Sequence, residues 1–426
     1  MDNITHSVVG LGVGALIDRS LPAEPDAAHA RTRQRMLLAI GCLASNFPDL
    51  DLVLTRLLDA PLGYLLHHRG HTHTLVGAVA EAALLLGLVW LLWPNARRLL
   101  NASRSARGGA LLAACAGLAL HLSMDALNVY GVHPFWPFDR GWYYGDLVFI
   151  VEPVFWVAFG IPLAAIVPRP GWRRLFLGLL LAVPLAATLA GFLHPLSLAG
   201  LVLLALLLAR VERRNAPAEG RAHRGRAALA AGLAASLALV AVQGLALHQA
   251  RTLVAAALHG LDPGERLLDT ALSAYPANPL CWSFVSVAVG GDGGVAAGTT
   301  AAATTSLHLR RGLLSIAPAI VPVSSCPAGI AGRASANATP GLAWLSEQRE
   351  SLAALRGLAR HDCHVNAWMR FARAPSLADG LATDMRWGPP GARNFSTLDV
   401  AAQAHTPCPH PVPGWGYPRA DLLGGR

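Results

Sequence analysis

The chain has 426 residues, 54% of them hydrophobic and 14% charged, with a mean hydropathy of +0.43. That balance excludes an ordinary water-soluble globule and points to a bilayer as solvent. The formal charge of +9 comes entirely from Arg, since Lys is absent. These Arg residues gather in short segments between apolar runs, as in a GC-rich coding sequence for a membrane protein, so nucleic acid is not an expected partner.

The N-terminus reads MDNITHSVVG, with an acid where a basic n-region would stand, so the apolar segments themselves are expected to target the chain. Apolar runs follow at about 6–18, 36–58, 74–93, 109–130, 147–168, 174–193, 196–209 and 227–247. Six approach the roughly 20 residues needed to cross a bilayer, whereas the first and seventh are short enough to be tilted, re-entrant or half-spans. Arg31, Arg33 and Arg35 precede the second run. Arg97, Arg98, Arg104 and Arg107 follow the third, Arg169, Arg173 and Arg174 the fifth, and Arg210, Arg213, Arg214, Arg221, Arg224 and Arg226 the seventh. If all eight runs cross, these loops share one side, which the positive-inside rule makes cytoplasmic. The 59–73 loop, the 131–146 loop and the tail then lie outside.

From about residue 248 the texture changes to scattered Gly, Pro, Ser and Thr with no span-length run. The expected fold is an all-α polytopic membrane domain of six to eight hydrophobic helices (1–247), followed by a smaller α+β soluble domain (248–426). Alternation around Trp368–Phe371 and Asp384–Trp387 predicts strands, 342–360 reads as one amphipathic helix, and 290–306 as a low-complexity loop. Cys42 and Cys115 lie in apolar runs and are expected to be small buried thiols. Cys281, Cys326, Cys363 and Cys408 fall in the tail, where an oxidising compartment suits one or two disulfides of undetermined pairing.

Ionisable residues in or beside spans are costly and usually functional. They are His6, Asp49 and Asp51 in N-F-P-D-L-D, the H-H-R-G-H-T-H segment from His67 to His73, His121 and Asp125 in H-L-S-M-D, and then Asp139, Asp146 and Glu152. His121 and Asp125 are one helical turn apart on one face, as a metal site on a helix requires; a buried His–Asp hydrogen bond accounts for that pair equally well. Pro48 predicts a broken backbone that lets Asp49 and Asp51 converge on a polar cavity, although the pair also suits the start of a second helix. Four His, one Arg and one Gly in seven residues offer imidazole ligands, an Arg69 suited to an anionic group, and a tight turn at Gly70.

Taken in order, Thr5-His6, P-D-x-D at Pro48–Asp51, H-R-G-x-T-H at His68–His73, H-x-x-x-D at His121–Asp125, the aromatic Trp136–Phe138 and the acid-Pro step Glu152-Pro153 resemble the YdjM/YbcI-type inner-membrane metal-dependent hydrolases of bacteria, in a long form with a C-terminal extension. The resemblance covers roughly residues 1–165, and its H-x-x-x-D helix is also distantly similar to that of the zinc-dependent phospholipases C. It implies a divalent metal ion, zinc before manganese, held by His6, Asp49, Asp51, His68, His73, His121 and Asp125. His71 falls on a variable position and is a doubtful ligand. Arg69, Asp146 and Glu152 are the expected catalytic residues, with Arg69 holding an anionic substrate group. The implied function is hydrolysis of a phosphoester or lipid-linked substrate through a metal-activated water at the bacterial inner membrane, with the C-terminal domain extracytoplasmic. The alternative is a metal transporter or a metal-stabilised scaffold.

Overall fold

The computed structural model describes residues 1–291, 305–332 and 338–424. Most of the expected loop at 290–306 therefore lies outside the described residues. In chain order, α1 (Asn3–Ser20) and α2 (Ala27–Ala44) form a hairpin, and a short turn at Pro48–Leu50 leads into α3 (Asp51–Thr55) and α4 (Leu62–His67). Then come α5 (Leu75–Leu92), α6 (Pro94–Ala102), α7 (Arg104–Ala126), α8 (Pro153–Ile166), α9 (Pro170–Leu189), α10 (Pro195–His223) and α11 (Arg226–Leu261). The remainder is β1 (Arg266–Tyr275), β2 (Asn278–Gly291), β3 (Thr305–Ser315), α12 (Ala328–Ala331), β4 (Leu342–Ser351), α13 (Leu352–His361), α14 (Cys363–Trp368), β5 (Pro375–Ala378), β6 (Leu381–Asp384), β7 (Leu398–Asp399) and α15 (Val400–Gln403). Strands β1 to β4 form one antiparallel meander and β5 to β7 a second small sheet. The expected class, helical membrane region then α+β, is the observed one.

Five helices among the described residues, α5, α7, α9, α10 and α11, are long and apolar enough to cross a membrane. Counting α2 with its continuation to Thr55, bent by 56° at the Pro48 break, makes six. The seventh apolar run, short by sequence, extends in α10 well past its apolar part. The fifth is helical only from Pro153, because Glu152 caps that helix and Pro153 lacks the N–H that an earlier start would need.

Small residues set the helix spacing. A Cβ on Gly10 would fall 2.3 Å from the Gly41 carbonyl oxygen, and one on Gly14 2.4 Å from that of Leu37, so α1 and α2 touch backbone to backbone. Gly117 likewise brings α7 against Ala44, where a Cβ would lie 2.6 Å from the alanine's own. His6 precedes Gly10, and His121 follows Gly117, by one turn on the same face. Each imidazole is thereby carried into the gap between these helices.

Three expectations for the tail are corrected. Residues 342–360 are not one helix: 342–351 form β4, paired with β3 from Leu307↔Glu350 to Leu314↔Leu342, and Ser351 then caps α13 through its hydroxyl. Trp368–Phe371 is the end of α14 and a turn, not a strand, with Trp368, Met369 and Phe371 all fully buried. Of Asp384–Trp387, only Asp384 belongs to a strand. Cys281 pairs with Cys326 and Cys363 with Cys408. Cys115, expected to be buried, is exposed, because an apolar face of a bilayer helix can point to lipid as well as to protein.

The two halves share their cores. Leu62, Leu65 and Leu66 of α4 and Tyr130 pack in one cluster with Val285, Leu307, Leu355, Trp368 and Phe371. The last turns of α11, through Ala246, Ala250, Val254 and Leu258, seat the meander at Leu272, Trp282 and Phe284. A buried ionic clamp joins them: Arg373 donates to both oxygens of Asp146, at 2.7 and 2.9 Å, and to Asp269 at 2.8 Å. Removing one member of a buried pair leaves an uncompensated charge, so Arg373→Ala is expected to cost about 3–5 kcal/mol. Thermal unfolding in detergent should show it as a large drop in midpoint, and an unchanged midpoint would remove the clamp from the fold's supports.

Candidate metal centre

The break at Pro48 puts Asp49 and Asp51 on a tight turn whose carboxylates face inward. Asp51 then organises the loop after α4. Its Oδ1 lies 3.1 Å from His68 Nδ1, and its Oδ2 accepts from the Arg69 N–H at 2.9 Å and the Thr72 hydroxyl at 3.0 Å, with His73 Nδ1 at 3.4 Å. Arg69 pays for that contact with a left-handed backbone at φ 57°, a conformation costly for a side-chain-bearing residue. Gly70 follows where a Cβ would sit 2.6 Å from the His67 carbonyl oxygen, so the tight turn does require glycine.

On α7, His121 Nδ1 faces the Ser45 carbonyl at 2.8 Å, an acceptor only, so this nitrogen carries the proton and Nε2 is left bare. His73 is fixed in the same sense, since the Thr72 hydroxyl gives its proton to Asp51 and accepts from His73 Nδ1 at 3.0 Å. The two bare Nε2 atoms then face each other at 3.0 Å. Asp49 Oδ1 lies 3.4 Å from His73 Nε2 and 3.7 Å from His121 Nε2, and Asp125 Oδ2 lies 3.3 and 3.7 Å from the same atoms. A tetrahedral ion with bonds of about 2.0–2.2 Å needs ligand separations of about 3.3–3.6 Å, close to those observed. The buried Asp125 Oδ2 accepts no hydrogen bond of good geometry, although Arg69 Nε pairs with it at 2.9 Å. Asp49, His73, His121 and Asp125 thus form a group that can hold a metal ion, and Asp49, Asp51 and His68 form an adjoining one.

His6 stacks on His121 with ring centres 4.0 Å apart and reaches Asp125 Oδ1 with Nε2 at 3.3 Å; its Nδ1 has no partner. The nitrogen of Met1 also contacts Asp125. Arg69 is turned to the centre itself, with Nη2 3.0 Å from Asp125 Oδ1, Nη1 3.1 Å from Asn128 Oδ1, and its guanidinium over the Tyr130 ring. Burial holds His68 below the ordinary imidazole range, in its neutral form, against the opposing pull of Asp51. His133 is pushed down to about 3 by burial first and by His73 and His71 next.

Seven of the expected site residues, with Arg69, are therefore brought together. Asp146 and Glu152 are not. Asp146 sits in the Arg373 clamp, and Glu152 caps α8 while accepting from the Ala277 N–H at 3.1 Å. His71 stays outside, exposed and edge-on to Trp136. Thr5 bonds Trp156 Nε1 at 2.7 Å and does not reach the centre. Sequence reasoning missed Asn3, whose amide donates to Asp49 at 2.9 Å, and Glu81, buried in α5 within electrostatic reach of His73 and Asp51. The single acid in the third apolar run was the available signal. It also missed an aromatic roof: Tyr64 on His68, Phe395 against Tyr64 and Tyr130, and Trp415 stacked on His133.

Fold and site together define a multi-pass helical membrane protein with a buried His/Asp centre. Residues 1–195, which contain every residue of that centre, match the sequence model of the family described as YdjM inner membrane protein, so the resemblance to YdjM-type inner-membrane proteins, without the hydrolase activity, is shown for this part of the chain. A Bacillus subtilis protein described as "Uncharacterized protein YfhP" is 29% identical over 161 residues, 37% of this chain and 44% of that one, so the match spans less than half of the relative. No solved structure matches.

The geometry sets a graded series for metal content. His121→Ala is expected to lose the ion. Asp51→Asn should retain it with affinity weakened about 10–100-fold, the usual effect of removing a group that orients a ligand, and His71→Ala should bind as the unchanged protein does. Elemental analysis and competitive chelation of detergent-purified protein measure all three, and equal loss in His71→Ala and His121→Ala would dissolve the assignment.

Proposed function

We propose that this protein is a membrane-embedded metal-dependent hydrolase acting on a phosphoester or lipid-linked substrate at the outer side of a bacterial inner membrane. The observation that carries the reading is the pair of bare imidazole nitrogens at 3.0 Å converging with two carboxylate oxygens. A proton on one ring would relieve that pair and offset one carboxylate, as Arg69 offsets a second, against the three of Asp49, Asp51 and Asp125. Asp49, His73, His121 and Asp125 are the proposed ligands. His68, His6 and Asp51 complete or orient them, and zinc suits the mixed nitrogen and oxygen donors, with manganese the alternative. A divalent cation held there supplies Lewis acidity to a phosphoryl or carbonyl oxygen and to water. Arg69 anchors Asp125 and, among the described residues, supplies the guanidinium at the centre for an anionic substrate group.

Purified protein loaded with zinc or manganese is expected to hydrolyse a phosphodiester or phospholipid substrate, and His121→Ala to abolish the activity. Arg69→Ala should keep its metal and lose transition-state stabilisation of about 1.5–3 kcal/mol, the range for a charge-assisted contact. A specific observation favours a second reading, since Arg69 already spends its charge on Asp125 beneath a closed roof. Metal-loaded protein inactive on every phosphoester and acyl ester, with Arg69→Ala only destabilised, would select the metal-stabilised scaffold.

The proposed orientation rests on two independent features. Two disulfides in the C-terminal part suit an oxidising compartment. The Arg-rich segments gather at the other end of the bundle, where Arg33 pairs with Asp18 and Glu24 and His223 bonds the Arg19 carbonyl. Alkaline phosphatase fused after Leu423 should be active and a fluorescent protein fused there dark; the reverse pattern would overturn the orientation.

A further inference from the structure

Helix α9 is held loosely. Pro184 is its one buried residue, and the rest of its length meets α8 and α10 along a narrow face. Between these three helices lies a cavity of 230 Å³ whose walls are entirely apolar, including Val157, Ile161, Leu180, Pro184, Leu201 and Ala205. In a bilayer such a gap forfeits dispersion contacts unless something fills it, and the adjoining solvent is hydrocarbon.

A second cavity, of 380 Å³, lies next to it toward the end where the chain enters the β domain. Leu201 walls both. The second cavity is of different character, because His194 and Ser197 at the start of α10 and Asn278 in the β1–β2 turn line it beside apolar residues. Each presents a donor. His194 Nδ1 accepts the Leu196 N–H at 3.2 Å, so the proton sits on Nε2, and burial lowers its affinity for a second one. Asn278 Oδ1 takes the Leu280 and Cys281 N–H groups, and its NH2 has no protein partner among the described residues. The buried Ser197 hydroxyl has no protein partner among the described residues. No Arg lines the cavity, and the Glu152 carboxylate lies directly behind its wall, bonded to the N–H groups of Val154 and Ala277.

We propose that these two adjoining cavities together bind one glycerophospholipid across Leu201, with an acyl chain between α8, α9 and α10 and a zwitterionic ethanolamine-type headgroup under the β1–β2 turn. Neutral donors match the ester and phosphate oxygens. The lack of any guanidinium among the lining residues favours a headgroup that carries its own ammonium over a net-anionic one. The inference is independent of the metal reading, since none of these residues belongs to the His/Asp centre.

The test is native mass spectrometry of the full chain after reconstitution in vesicles of equal parts phosphatidylethanolamine and phosphatidylglycerol and extraction in mild detergent. One retained phosphatidylethanolamine per chain is expected. Leu201→Trp, which fills the junction of the two cavities, should reduce retention at least about tenfold. Leu203→Trp, on an exposed part of α10, should leave it unchanged. If Leu201→Trp does not fold, Asn278→Asp serves instead, because it keeps the oxygen that caps Leu280 and Cys281 while replacing the donor; retention should fall about three- to tenfold, the worth of one hydrogen bond. Metal content measured on the same samples should not change. Preferential retention of phosphatidylglycerol, or equal retention in wild type and Leu201→Trp, would overturn the proposal.

Discussion

Carboxylates buried in an apolar helix bundle must be neutralised where they stand, and the packing around Asp49, Asp51 and Asp125 follows from that requirement. Asp51 is met by donors drawn from one short loop, namely the Arg69 N–H, the Thr72 hydroxyl and the rings of His68 and His73. That carboxylate therefore dictates the loop's path, including the left-handed residue at Arg69. Among the described side chains, the three carboxylates face a single guanidinium and a group of imidazoles. The excess of negative charge that remains is what a divalent cation would balance.

Close helix packing does the rest. The centre draws on α1, the Pro48 turn, the loop after α4, and α7, which are remote in sequence. Their convergence depends on glycines that let backbones touch: Gly10 and Gly14 against α2, and Gly117 against Ala44. A methyl group at any of these would push a histidine-bearing helix outward by about 1 Å, roughly half the length of a ligand bond. The stacking of His6 on His121 and the hold of Ser45 on His121 both depend on that spacing.

The residues that gather at the candidate centre were legible in the sequence because charge in an apolar run is rare and its spacing obeys helix geometry, as His121 and Asp125 show. Asp146 and Glu152 looked the same by that criterion, yet one serves an ion pair and the other a helix cap. Burial of a charge marks a need for partners and does not say which partners. Glu81 escaped notice because it stands alone in its run. The aromatic roof was illegible for a different reason: Phe395 and Trp415 lie hundreds of residues from His68 and His133, and nothing local marks them. In the tail, β4 and α13 ran together as one helix because alternating and helical patterns abut at Ser351 without a Gly or Pro between them.

The roof also constrains how any substrate reaches the centre. Because α4 and Tyr130 share a hydrophobic core with the C-terminal part, and Arg373 clamps Asp146, the cover is built into the fold and not laid over it. Direct entry from water above His68 would have to part Tyr64, Tyr130 and Phe395. On the other flank the barrier is thin. Asp49 and Asp51 belong to the short turn and α3, whose opposite face presents Leu50, Val53 and Leu54 exposed, with Leu57 beyond them. One helical turn of exposed apolar side chains thus separates the carboxylates from the outside of the bundle. For the proposed substrate class this geometry is consistent: a lipid-borne ester has to move only across α3 from the bilayer, whereas a water-borne one must open a packed aromatic cluster.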